Sequence, residues 1–217
     1  MDITYLGHSS FKLRGRTATV ITDPFDPKFV GLKFASNEAE IVTISHNHED
    51  HNNSEAVKGT KMVVNGPGEY EISGISIIGI PSFHDAKKGE ERGKNTIYVF
   101  EMDGLRIVHL GDLGHDLTDS EISQIGSVDV LLIPVGGEYT IGAKDAVKII
   151  SAIDPYFVIP MHYKVDGLSS ELASKLEPVE TFLSECGLNV ERMDKFSLKR
   201  EDILEDQSAK AIVLERK

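Results

Sequence analysis

The feature that most constrains this chain is the run His46-Asn47-His48-Glu49-Asp50-His51, directly after the apolar stretch Ile41-Val42-Thr43-Ile44-Ser45. Three imidazoles and the Asp50 carboxylate within six residues are metal-ligand chemistry, and a rigid element must present them. Residues 41–44 suit a short buried strand. If His46 and His48 continue that strand, their side chains point the same way and can grip one ion. Asp50 and His51 then fall where the chain turns away, within reach of a second ion, as in two-metal sites. A helical site fits poorly, because the H-E-x-x-H pattern places its histidines at i and i+4. Any one of these histidines could be a surface side chain in a polar loop; the cluster reads as a site.

Composition narrows the partners. With 217 residues the chain can bury a substantial core, and 40% hydrophobic with 27% charged residues is ordinary for a soluble globular protein. A net charge of −12 opposes nucleic acid, whose binding draws on Lys and Arg. Cys186 is the single cysteine, so no intrachain disulfide forms, which fits a reducing compartment. The start Met1-Asp2-Ile3-Thr4-Tyr5-Leu6 lacks the basic and apolar regions of a signal peptide, and no apolar stretch approaches the roughly 20 residues that span a bilayer. The expectation is a cytoplasmic protein with a small-molecule substrate, no nucleic-acid or membrane partner, and self-association left open.

Strand patterns dominate the first half: 3–6, 10–13, 17–22, 41–45, 61–64 and 75–80, then 96–102 and 105–110 around the hairpin signal Asp103-Gly104. The second half alternates. A helix over 118–125 capped by Thr118 or Asp119, a strand over 128–134, a helix over 143–153 and a strand over 156–160 are expected. Helical segments follow between Ser169 and Cys186, with Pro178 in the first turn of the second and Gly187 as its stop, then strands over 189–193 and 211–214. No linker breaks the pattern, so residues 1–217 read as one α+β domain of layered sheets with helices outside.

Three later strands end in metal-competent side chains. Residues 75–81 lead to His84, 105–111 to Asp112 and 156–161 to His162. Each alone could be a turn Asp or a packed His; with the cluster they complete a two-metal inventory.

These residues, with Thr22-Asp23-Pro24 and Gly111-Asp112, stand in the order that resembles the metallo-β-lactamase superfamily. Tyr5-Leu6-Gly7-His8-Ser9-Ser10-Phe11, Gly66-Pro67-Gly68-Glu69-Tyr70-Glu71, Ile133-Pro134-Val135-Gly136-Gly137 and Pro160-Met161-His162-Tyr163 look like its compact branch, which includes L-ascorbate-6-phosphate lactonase and many metal-dependent hydrolases. The resemblance covers nearly the whole chain and is specific for the metal site but weak for substrate. It implies an αβ/βα sandwich of two mixed sheets flanked by helices, with the site at one edge. It implies that His46, His48 and His84 hold one ion, that Asp50, His51 and His162 hold another, that Asp112 bridges them, and that Asp23 orders the loop.

The implied activity is hydrolysis of a small ester-like substrate by a metal-bridging hydroxide. A phosphorylated lactone or phosphodiester is favoured over a β-lactam. Asp50 orients the water or takes its proton. Two divalent ions are expected, Zn favoured, with Mn and Fe accepted by the same ligands. A metal-dependent oxidoreductase is the second reading, although diiron reductases of this fold typically carry Glu at the position of His48 and an attached flavin domain. A non-catalytic metal-binding interaction protein is the third.

The remaining residues divide. His8 and His115 have equal claims to a supporting or substrate-contacting role and to a structural one. His109 should turn away from the site and pack. Lys164 and the charged segment 87–94 offer cations to a substrate phosphate, against a simpler life as solvated side chains. The apolar loop 27–34 reads as a flap over the site or a subunit contact, and Cys186 as a packed thiol.

Overall fold

Alternating apolar residues in the first half and near-continuous apolar runs in the second build two sheets of different exposure. The computed structural model describes residues 1–204 and 206–216. In chain order the first half forms β1 (Asp2–Gly7), β2 (Ser10–Arg14), β3 (Thr19–Thr22), the short helix α1 (Pro27–Val30), β4 (Asn37–Glu38), β5 (Ile41–Ile44), β6 (Val57–Lys58) and β7 (Met62–Asn65). It continues with β8 (Gly68–Ile72), β9 (Ile75–Phe83), β10 (Lys94–Met102) and β11 (Leu105–His109). The second half forms α2 (Asp119–Ile125), β12 (Val130–Pro134), α3 (Ala143–Ile153), β13 (Phe157–Met161), α4 (Ser170–Lys175), α5 (Val179–Cys186), β14 (Asn189–Met193), β15 (Phe196–Ser197) and β16 (Lys210–Leu214).

The first sheet runs β15-β1-β2-β3-β5-β7 and the second β14-β16-β13-β12-β11-β10-β9-β8, with β4 and β6 paired apart. Both sheets are mixed. β1 to β3 are antiparallel, while β3, β5 and β7 are parallel; β8 to β11 are antiparallel, while β11, β12 and β13 are parallel. β12 and β13 are buried at every residue, as parallel strands covered on both faces must be.

The main core lies between the sheets. Val20 and Ile41 join it, whereas their neighbours Ile21 and Val42 face the other way into a second cluster with Ala39 and Val57. Ile125 of α2, Ala146 and Ile149 of α3 and Phe182 of α5 pack into the main core, so the second sheet is flanked by helices. Over the first sheet the cover is thinner, with Leu6, Phe34 and the β4–β6 pair where a helix was expected. The fold is the expected α/β sandwich.

Boundaries agree closely with the sequence patterns, with local differences. Strand β3 begins at Thr19 rather than Thr17, and Pro178 caps α5 at φ −70° and ψ 158° instead of entering its first turn. Thr118 caps α2 in a reciprocal pair with Glu121. The apolar loop 27–34 contains α1, capped by Asp26 and ended by Gly31 at φ 88°; its Val30 and Leu32 are buried with Phe25, Leu172 and Leu176. No helix among the described residues is long and apolar enough to cross a membrane.

Candidate metal centre

Every candidate ligand leaves the carboxyl end of a strand: His8 after β1, Asp23 after β3, residues 46–51 after β5, His84 after β9, Asp112 after β11 and His162 after β13. The cluster does not continue β5, contrary to the sequence expectation for His46 and His48. The strand stops at Ile44 because the Asp23 carboxylate takes the backbone N–H of Ser45 at 2.7 Å, removing it from the ladder. Residues 45–51 then form a bend and turn, which still gathers both imidazoles.

Asp23 sets the rings. Its Oδ2 accepts from Ser45 Oγ at 2.6 Å and from His51 Nδ1 at 2.9 Å, and Ser45 Oγ in turn accepts from His46 Nδ1 at 3.0 Å. With Nδ1 donating in both rings, each Nε2 is the nitrogen left facing away from Asp23, to carry a proton or to give its lone pair to a cation in the proton's place. Those two Nε2 atoms are buried and make no hydrogen bond. Asp23 thus ties the Ser45 backbone, the Ser45 hydroxyl and the His51 ring together.

The rings converge on one carboxylate oxygen. Asp112 Oδ2 lies 3.2 Å from Nε2 of His51, 3.2 Å from His162, 3.3 Å from His84 and 3.9 Å from His46. Donor atoms of His46, His48 and His84 lie within 4.8 Å of one another, as do those of His8, Asp50, His51 and His162, and those of His46, His51 and Asp112. Burial opposes the charge on Asp112, but His162 and His51 outweigh it and hold the carboxyl well below its usual range. Burial also opposes charge on His51, yet Asp112 and Asp50 raise its pKa well above the imidazole value. The point between these groups calls for positive charge. Unpaired imidazole lone pairs facing buried carboxylates fit a divalent cation.

Around this centre lie supports that the sequence did not single out. Asn95 Oδ1 accepts the Asp112 N–H at 3.0 Å while its amide donates to Ser82 Oγ and the Leu110 carbonyl. Ser9 Oγ reaches Asp112 Oδ1 at 3.5 Å. Tyr98 donates to the Ile44 carbonyl, tying the second sheet to the strand that carries the cluster. Asn95 and Tyr98 in β10 and Ser82 in β9 are plain strand residues with no signal that would have marked them, and Ser9 stood in the quoted turn segment without a role of its own.

His8 enters the centre: its Nε2 is 3.0 Å from Asp50 Oδ2, and its Nδ1 is buried without a partner. Burial and the facing His162 push its pKa down to about 4, although Asp50 pulls the other way. Burial likewise opposes charge on Asp50, but His51 and His8 keep it ionised. His109 packs as expected, its Nε2 2.8 Å from the Ser9 carbonyl and its Nδ1 accepting from Gly111.

Of the candidate substrate contacts, His115 and Lys164 lie outside the centre. His115 is zipped to the outer side of β9, where its Nε2 accepts from the Phe83 N–H and its Nδ1 lies 2.8 Å from the Asp116 carbonyl. Lys164 follows the left-handed reversal at His162, φ 53°, and its backbone bonds Glu177 on the far side of that turn. It lines a different cleft, beside Tyr163 and Arg192. Cys186 is half-buried with its thiol 3.5 Å from the Leu183 carbonyl, away from the centre.

A cavity of about 580 Å³ opens over the centre, walled by Phe29, Leu172, Tyr139 and Arg92 and floored by His48, Asp50, His84, Asp112 and His162. The 85–92 segment at its rim is wound around Asp85, whose carboxylate accepts from the backbone N–H groups of Lys87, Gly89, Glu91 and Arg92. Partial desolvation opposes its charge, but those four donors bring its pKa down to about 2.

Residues 2–162 match the family described as the beta-lactamase superfamily domain. The chain belongs to this family. A "UPF0173 metal-dependent hydrolase" of Thermococcus onnurineus is 32% identical, with 75% of this chain and 84% of the relative covered. Another of the same description, from Archaeoglobus fulgidus, is 31% identical with coverages of 75% and 83%. A solved structure from Thermotoga maritima, assigned as a zn-dependent hydrolase of the metallo-beta-lactamase superfamily, is 38% identical and superposes with a TM-score of 0.81 over 100% of this chain and 99% of that one. The chain is a metal-dependent hydrolase with the metallo-β-lactamase fold, and its His/Asp cluster is able to bind metal.

Proposed function

We propose that the hydrolase is dinuclear and acts on a small ester-like substrate, a phosphorylated lactone or phosphodiester. The observation that carries this reading is the convergence of four imidazole Nε2 atoms on Asp112 Oδ2, with Asp50 on the flank facing His8 and His51. His46, His48 and His84 would hold one ion and Asp50, His51 and His162 the other, with Asp112 available to both. Zinc is favoured because His and carboxylate ligands suit it and the Thermotoga relative is described as zn-dependent. Bound there, such ions supply Lewis acidity and a water ionised near neutral pH.

The chain's own residues do the rest. Asp50 lines the cavity and is held ionised, so it accepts a hydrogen bond from the attacking water and aims it. His8, 3.0 Å behind Asp50, fixes that carboxylate. Hydrolysis forms a bond from the water oxygen to the carbonyl carbon or phosphorus and breaks the bond to the leaving oxygen, which gains a proton. The cavity volume is in the range of small-molecule sites.

The test is elemental analysis with turnover of phosphodiesters, lactones, thioesters and β-lactams. Two ions per chain under saturating metal, with hydrolysis abolished by chelation, are expected. A persistent single ion with all seven ligands intact overturns the dinuclear assignment, and full turnover by metal-free protein overturns the mechanism.

A further inference from the structure

The metal centre accounts for the floor of the cavity but not for Arg92 in its wall. Arg92 is the only Lys or Arg among the described residues lining it, beside the carboxylates of Glu49, Asp50, Asp112 and Glu171. None of the ion pairs of the described residues includes it. Instead its guanidinium carbon lies 5.6 Å from the centre of the Tyr139 ring, within cation–π range. Its backbone is pinned by the 2.8 Å bond from Arg92 N to Asp85, so the side chain projects from a wound loop. An acidic cavity would repel an anion; a half-buried, preset guanidinium on an aromatic platform offers one a two-pronged partner.

We propose that Arg92 binds a second anionic group of the substrate, a carboxylate or phosphate separate from the bond that is cleaved, with Tyr139 holding the guanidinium flat. This rests on the hydrolase reading and deepens it, because it makes the substrate an ester or lactone with an anionic tail. Phe29 and Leu172 line the same cavity and offer apolar surface to the rest of the substrate.

The test compares the metal-loaded protein on three 4-nitrophenyl esters: butyrate, which is neutral; glutarate, with a free carboxylate; and 4-phosphonobutyrate. The wild type is expected to favour one or both anionic esters in kcat/KM by about tenfold or more, the size of one charge-assisted contact. Arg92→Gln should collapse that ratio, chiefly through KM, and Arg92→Lys should keep part of it. Lys88→Gln removes the same charge from an exposed position of the same loop, outside this cavity, and should leave the ratio alone. Which ester leads separates carboxylate from phosphate. A ratio near one in the wild type, an unchanged ratio in Arg92→Gln, or an equal fall in Lys88→Gln overturns the proposal. If no ester is turned over, the hydrolase reading fails on these substrates. Arg92 is then judged by calorimetric titration of glutarate and phosphonobutyrate into wild type and Arg92→Gln, where equal affinities overturn it.

Discussion

His8 stands in the left-handed region at φ 56°, as do Asp23 at 39° and His162 at 53°, three non-glycine residues of one site. Such conformations cost of order 1–3 kcal/mol each and persist only where their surroundings over-determine them. Here the His8 carbonyl accepts from the His162 N–H and from the Tyr5 hydroxyl, both at 2.9 Å, which locks the two reversals together. Because Asn tolerates this backbone better than Ala, His8→Asn tests the ring itself. If the ring only fixes Asp50, metal content should stay near full while turnover falls about 10- to 100-fold, the usual loss for a group supporting a ligand. Loss of an ion by elemental analysis would make His8 a ligand, and a fall in melting temperature matching the lost activity would make it structural. The ligand types were legible in the sequence because His and Asp at strand ends are rare and chemically specific. Asn95, Ser9 and Ser45 were not, since their value lies in which distant group each meets, a backbone N–H for Asn95 and side chains for the two serines, and the alternatives for His115 and Lys164 stayed open in the sequence because nearness along the chain says nothing about which way a reversed chain points.

At the scale of elements, the β11 end shows how a strand delivers a ligand. Gly111 has φ 57°, and a Cβ there would lie 2.3 Å from Asn95 Oδ1 and 2.6 Å from Ser45 Cβ. Gly187, the stop of α5, has φ 64° with nothing within 4 Å. Gly187→Ala should therefore cost about 1 kcal/mol of backbone strain alone, while Gly111→Ala adds overpacking of about 1–3 kcal/mol and displaces the Asp112 backbone. Urea denaturation of the metal-free variants checks this, and equal midpoints would refute the close packing. The alternation of β9 and the continuous apolar burial of β10 were legible, and so was the Asp103-Gly104 hairpin. β8 was not, because it is an edge strand whose residues are exposed or half-buried and show no apolar face. The two-residue strands β4, β6 and β15 are too short for periodicity to exist. The end of β5 was misread because an Asp23 side chain distant in sequence ended the ladder.

For the whole molecule, a β-rich half followed by an alternating half indicated layered sheets with helices outside, but the meeting of ligands from both sheets at one edge is a property of packing that no local pattern carries. Its consequence is mechanical. Residues 46–51 issue from the first sheet and His84, Asp112 and His162 from the second, so on the proposed allotment each ion takes ligands from both. Each should therefore bind the folded chain and not the unfolded one. An ion at about 100 times its Kd then contributes about 2.7 kcal/mol, and at about 2–4 °C per kcal/mol for a chain of this size the removal of one ion should lower the melting temperature by about 5–10 °C and the removal of both by about 10–20 °C. Scanning calorimetry of chelated and reloaded protein measures the shift. His84→Ala, which removes the only ligand that the second sheet alone gives the first ion, should lose that ion's share and keep the other's. An unchanged melting temperature on chelation would mean that the ions do not clamp the sheets. An equal shift in His84→Ala and wild type would mean that His84 holds no ion.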